Sequence, residues 1–127
     1  MSIFLFNFKQ RFAHKVESGE KRQTIRATRA DGRVPRKGDI AKLYTGLRTR
    51  NTRLLMAAQV IGCDPVYIDF SERSVVLGEN HLRLGTLEQF AKEDGFADAS
   101  EMIDWFKETH GPDDFEGFCV RWDPGVR

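Results

Sequence analysis

Cysteine is scarce in this chain: Cys63 and Cys119 are the only two in 127 residues, and neither belongs to a C-x-x-C pair. That excludes a disulfide framework and the usual thiolate zinc sites. Both thiols are expected to act as small buried hydrophobes in a reduced, cytoplasmic protein. Histidine is equally sparse: His14, His81 and His110 stand apart, without metal-ligand spacing, and are expected to have no role. Neither metal nor cofactor is expected. No apolar run is long enough to span a membrane, and Met1 to Phe6 carries no basic leader or small-residue cleavage site, so it is expected to be a first strand. Repeats, low-complexity tracts and linkers are lacking too, which predicts one domain over residues 1–127. Tyrosine is rare, two residues against ten phenylalanines, and the phenylalanines are expected to build an aromatic core.

Net charge is also nearly absent, at +1, but its distribution is uneven. Residues 1–53 hold 14 Lys/Arg against 4 Asp/Glu, and residues 54–127 hold 6 against 15. A basic segment of this kind is a candidate footprint for phosphates, unless the two halves interleave and pair across the fold.

The apolar pattern predicts a mixed α+β chain. Ile3 to Phe6 reads as a strand, and Phe8, Phe12 and Val16 at four-residue spacing predict an amphipathic helix stopped by Gly19. Arg22 to Arg26 reads as a strand, with Gln23 and Ile25 on one face and Arg22, Thr24 and Arg26 on the other. A polar loop over 29–37 leads to a strand at Ile40 to Tyr44, and a basic loop over 46–52 leads to a central strand at Arg53 to Ile61. Shorter strands follow at Val66 to Phe70 and Ser74 to Leu77. Thr86 with Gln89 reads as a capping box opening a helix that Gly95 closes, and Asp98 with Glu101 opens another that ends at His110-Gly111-Pro112. Phe115 to Trp122 is the last strand. About three short helices with six or so short, mainly antiparallel strands predict a small β-barrel or a strongly curled sheet.

Three segments carry a family resemblance. Gly19-Glu20-Lys21-Arg22-Gln23-Thr24-Ile25-Arg26 resembles the G-x-K-x-x-T-x-R signature of ASCH proteins. Pro35 to Ile40 is similar to that family's second block, and Phe90 to Phe96, with the following helix and final strand, to its third. The resemblance covers nearly the whole chain and implies a PUA-like barrel with a cleft beside the first motif. Some small bacterial members are amidohydrolases that remove the acetyl group from N(4)-acetylcytidine, using a lysine, a threonine and a glutamate, and others are linked to RNA cleavage. The first two carry over onto Lys21 and Thr24. The acid falls on Glu93 or Asp94. The stretch from Val66 to Leu84 reads as an insertion that would form an extra wall beside the cleft.

The residues suit that chemistry. A threonine hydroxyl needs a base to become a nucleophile, and a lysine serves once burial or neighbouring cations lower its pKa. Arg22 and Arg26 are candidates to supply that field or to hold an oxyanion or a phosphate. Glu93 or Asp94 would protonate the leaving nitrogen or hold the base. Arg48, Arg50, Arg53 and Lys37 are candidates to track a nucleic-acid backbone, and Tyr44 and Trp122 to stack a base. The expected partner is a modified nucleoside or RNA. A non-catalytic RNA-binding module and a metal-independent ribonuclease are the competing readings.

Overall fold

Alternate residues of the first strand, β1 (Ile3–Phe8), are buried, so Phe4, Phe6 and Phe8 face inward while Ile3, Leu5 and Asn7 face out. The strand therefore runs two residues past the expected end. Phe8 pairs with Thr45 instead of opening a helix. Residues 1–125 are described in the computed structural model. Helix α1 (Gln10–Ser18) buries Phe12, Ala13 and Val16 and ends at Gly19, whose φ of 83° puts it in the left-handed region where its N–H reaches the Val16 carbonyl. Strands β2 (Gln23–Ala27), β3 (Ile40–Thr45), β4 (Arg53–Asp69), β5 (Ser74–Leu77) and β6 (Asn80–Leu82) follow, then α2 (Leu84–Glu93), α3 (Ala99–His110) and β7 (Phe115–Trp122).

The expected break in the central strand is absent. β4 runs unbroken for 17 residues and joins the two parts of the sheet. Its first half pairs with β3, and after a bulge between Val60 and Gly62 its second half pairs with β7 and β5. Pro65 interrupts nothing, because the last β4–β5 pair is Val66 with Leu77 and the missing N–H lies just beyond it.

The seven-stranded sheet mixes one parallel pair, β1 with β3, with antiparallel neighbours. It does not close into a barrel. Among the described residues β1 has only β3 as a hydrogen-bonded neighbour and β2 only β7, so the ladder stops at these two edges. The curled-sheet alternative describes it better. All ten phenylalanines are buried, as expected, with Trp122, Leu43, Ile68 and Met102 among them.

The helix starts divide. Arg83 stands at the α2 N-cap with no side-chain bond, and Thr86 donates its backbone N–H to the Arg83 carbonyl, so the expected Thr86–Gln89 box is not formed. The Asp98 cap is formed: its carboxylate accepts from the Glu101 N–H at 2.8 Å, and the Glu101 carboxylate accepts from the Ala97 N–H at 3.2 Å. Asp98→Ala should cost about 1 kcal/mol, read as a fall of about 4 °C in thermal denaturation. The segment from Val66 to Leu84 holds the end of β4, which pairs with β7, and the β5–β6 extension of the sheet, tied to α3 by Arg73 bonding Asp104 at 2.9 Å. Among the described residues no helix is long and apolar enough to cross a membrane.

Candidate active site

The unpaired edges of β1 and β2 stand apart at an open seam, with little backbone contact between them. The Ser2 carbonyl accepts from Ile40 of β3, so backbone groups of the odd-numbered residues of β1 turn the other way, toward β2. Among the described residues a side chain spans the gap: the Arg26 guanidinium donates to the Asn7 carbonyl at 2.7 Å. Beside this bond lies a cleft of about 240 Å³, floored by Lys21, Thr24, Arg26 and Asp94 and walled by Asn7, Phe8, Phe12, Trp105 and His110.

Each floor residue is placed by a local feature. Strand alternation carries Thr24 and Arg26 to the same side, where Arg26 Nε donates to Thr24 Oγ1 at 3.0 Å. Lys21 follows the Gly19 turn, and its backbone N–H bonds the Lys15 carbonyl at 2.9 Å. Its side chain lies buried between the rings of Phe8 and Phe12, with Nζ 5.6 Å and 5.0 Å from their centroids. Asp94 caps the C-terminus of α2, and Gly95 then reverses the chain at φ +98°. This turn brings the Asp94 carboxylate inward. Lys21 Nζ donates to the Asp94 backbone carbonyl and lies 3.6 Å from its Oδ1, which also accepts from the Gln23 amide at 3.3 Å.

The electrostatics follow from burial. Lys21 is 3% exposed and Asp94 2%. Desolvation pulls the Lys21 ammonium below its ordinary pKa, with Arg26 adding to the effect and Asp94 opposing it. Desolvation lifts the Asp94 carboxyl to about 6 against the pull of Lys21, Gln23 and Arg26. Burial brings Arg26 down to about 10, so its guanidinium stays charged at neutral pH. Cys119, paired with Ile25 on the adjoining strand, is raised well above its usual range by burial, which makes it an inert filler.

The other sequence candidates lie elsewhere. Glu93 gives its backbone carbonyl to the Arg22 N–H, and the side chains of Glu93 and Arg22 line a separate surface groove. Arg53 is paired with Glu17 at 2.6 Å. Arg48 sits in the β3–β4 loop, which bonds the Asn7 side chain through Leu47 N–H at 2.9 Å, but neither Arg48 nor Tyr44 lines the cleft. Trp122 is core, and no residue of 66–84 reaches the cleft, so the expected extra wall is absent.

Residues missed in the sequence form the far wall. Helix α3 contributes Trp105, Phe106, Thr109 and His110, and Lys9 sits over the Trp105 ring at 5.4 Å. His110 stacks on Phe106 at 5.5 Å, and partial burial, with the nearby Lys9 charge, holds its imidazole below the ordinary value. Among the described residues no three His, Cys, Asp or Glu side chains are grouped to hold a metal ion.

No protein-family model matches the chain, and no curated protein shows significant similarity to it. One solved structure does: the crystal structure of hypothetical protein PH0355 is similar over 97% of this chain and 98% of that chain, with a TM-score of 0.56 and 14% sequence identity. That likeness shows a shared α+β fold.

Proposed function

We propose that this chain is an ASCH-type domain with a PUA-like fold that holds a modified nucleoside in the seam cleft and hydrolyses an exocyclic amide on its base, as in N(4)-acetylcytidine. The observation that carries this reading is the buried Lys21–Asp94 pair on the floor of the cleft that also presents Thr24. Burial favours the Lys21 amine and the Asp94 carboxylic acid, while the attraction between their charged forms opposes it. The neutral forms are the protonation states that attack by a hydroxyl and departure of an amine require.

The steps balance. Thr24 Oγ1 bonds the acyl carbon, and its proton passes to the Lys21 amine. Arg26, already donating to that oxygen, offsets charge as it develops. The carbon–nitrogen bond breaks as the Asp94 proton moves to the leaving nitrogen. This leaves an acyl-threonine ester, a Lys21 ammonium and an Asp94 carboxylate. Water then attacks the ester and gives its proton to Asp94. Lys21 returns its proton to the threonine oxygen, and the free acid departs. The Phe8 and Trp105 rings give the cleft apolar walls suited to a base.

The test is release of cytidine from N(4)-acetylcytidine by the purified protein across pH and salt. Release should be nearly independent of salt, since the substrate is neutral. Turnover needs the Lys21 amine and the Asp94 acid together, so the rate should fall on either side of the pH range in which the pair holds a single proton, with Asp94 contributing a limb near pH 6. Asp94→Asn cannot transfer a proton. It should lower turnover about 100-fold or more and erase the limb due to Asp94. An unchanged profile would remove Asp94 from the reaction.

A further inference from the structure

Four arginines of this chain, Arg11, Arg53, Arg73 and Arg121, are paired with carboxylates. Arg29 and Arg33 are not. Among the described residues neither guanidinium has an acidic partner, and both lie over the ring of Phe4, at 5.5 Å and 5.0 Å. The nearby carboxylates are engaged with backbone: Asp31 accepts from the Arg33 N–H at 2.9 Å, and Asp39 accepts from the Ser2 and Arg36 N–H groups at 2.9 Å each. Arg33, Arg36 and Phe4 line an open concavity of about 480 Å³ together with Asp31 and Asp39, and Arg29 lies outside that lining, against Phe4.

This basic group is in line with the cleft. Phe4, Phe6 and Phe8 are successive inward residues of β1. Arg26 covers Phe6 and Phe8 at 5.3 Å and 5.0 Å, while Arg29 and Arg33 cover Phe4. Cations thus follow the aromatic row from the floor of the cleft to the start of the strand, over roughly 13 Å of extended chain. A neutral nucleoside has no use for the far end. Unpaired, exposed guanidinium groups on aromatic faces are suited to phosphate oxygens.

We propose that Arg29 and Arg33 form a phosphate subsite, so that the ligand of the cleft is a phosphorylated nucleoside: a nucleotide with its own phosphates or a nucleotide within a strand. The proposal rests on the nucleoside reading of the cleft and extends it to the substrate's charge. The two sources share one chemistry and differ in which phosphate is bound.

Calorimetric titration of the wild type and of Arg29→Ala/Arg33→Ala with cytidine, cytidine triphosphate, a short oligocytidine and inorganic triphosphate tests it. Cytidine should bind both proteins alike. The phosphorylated ligands should bind the wild type more tightly and lose about tenfold or more in the double variant. Arg29→Lys/Arg33→Lys, which keeps the charge, should recover much of that loss. A gain for the triphosphate as well as the oligonucleotide points to the nucleotide's own phosphates, and a gain for the oligonucleotide alone to the neighbouring phosphate of a strand. Inorganic triphosphate separates the two readings. If it binds through Arg29 and Arg33 while cytidine does not bind, the subsite stands and the nucleoside reading falls. Equal binding of cytidine and its phosphates, or an equal gain in the double variant, would overturn the subsite.

Discussion

Thr24→Val should abolish cytidine release from N(4)-acetylcytidine while leaving the protein folded. Valine keeps the shape and strand propensity of threonine and removes only the oxygen. Arg26 loses one acceptor but keeps its bond to the Asn7 carbonyl, so the seam stays bridged. Without a nucleophile the expected fall is about 1,000-fold or more, whereas Thr24→Ser should keep measurable turnover. Lys21→Met should be equally inactive, for a different reason: the side chain still fills the space between Phe8 and Phe12, but no base remains. Asp94 would then keep only Arg26 as a nearby cation, and its carboxyl would rise further above its ordinary value.

The pair also leaves a signature in stability. The folded protein binds the Asp94 proton more tightly than the unfolded chain does. That group's contribution to stability is therefore greatest below pH 3.8 and declines as pH rises to about 6. Lys21 acts in the opposite sense: its lowered pKa makes stability rise with pH on the approach to its ordinary value of 10.5. Melting temperature against pH should show the acid-side decline in the wild type and not in Asp94→Asn.

Gly117→Ala should be among the most damaging single methyl additions in the chain. A β-carbon there would lie 2.1 Å from the Arg26 carbonyl oxygen, and both atoms are held by backbone. Gly117 pairs with Ala27 on β2 and Val66 on β4, so the strand is fixed from two sides. Relief requires β2 to move away from β7. The expected cost is about 3 kcal/mol, or a melting temperature lower by about 10 °C. Because β2 carries Thr24 and Arg26, activity should fall with it at temperatures where the variant is still folded. Gly95→Ala is a milder parallel: its methyl would meet Lys21 Cδ at 3.0 Å and Phe12 Cδ1 at 3.2 Å at a φ of +98°, displacing the base more than the fold.

The parts of the site that depend on local pattern were legible in the sequence. Alternation along β2 put Thr24 and Arg26 on one face, where they are hydrogen-bonded. The acid was narrowed to two neighbours and no further, because the choice depends on the exit of α2. Asp94 takes a helical conformation as the C-cap and Gly95 reverses the chain, so one carboxylate turns into the core and Glu93 stays outside. An acid at a helix C-terminus, where the dipole disfavours it, was the available signal. The wall of α3 had none. Trp105 and His110 reach the cleft because α3 packs on β7, with Trp105 against Phe12 of α1 and His110 against Phe115, and helical periodicity shows only that such residues share a face. The open seam was hidden for the same reason, since strand pairing is a long-range choice.

The most direct measurement compares cytidine release from N(4)-acetylcytidine by the wild type and by Thr24→Val, with melting temperatures taken on both. Release by the wild type and none by an equally stable Thr24→Val is the expected result. Full activity in Thr24→Val, or no release by the folded wild type, would contradict hydrolysis at this cleft.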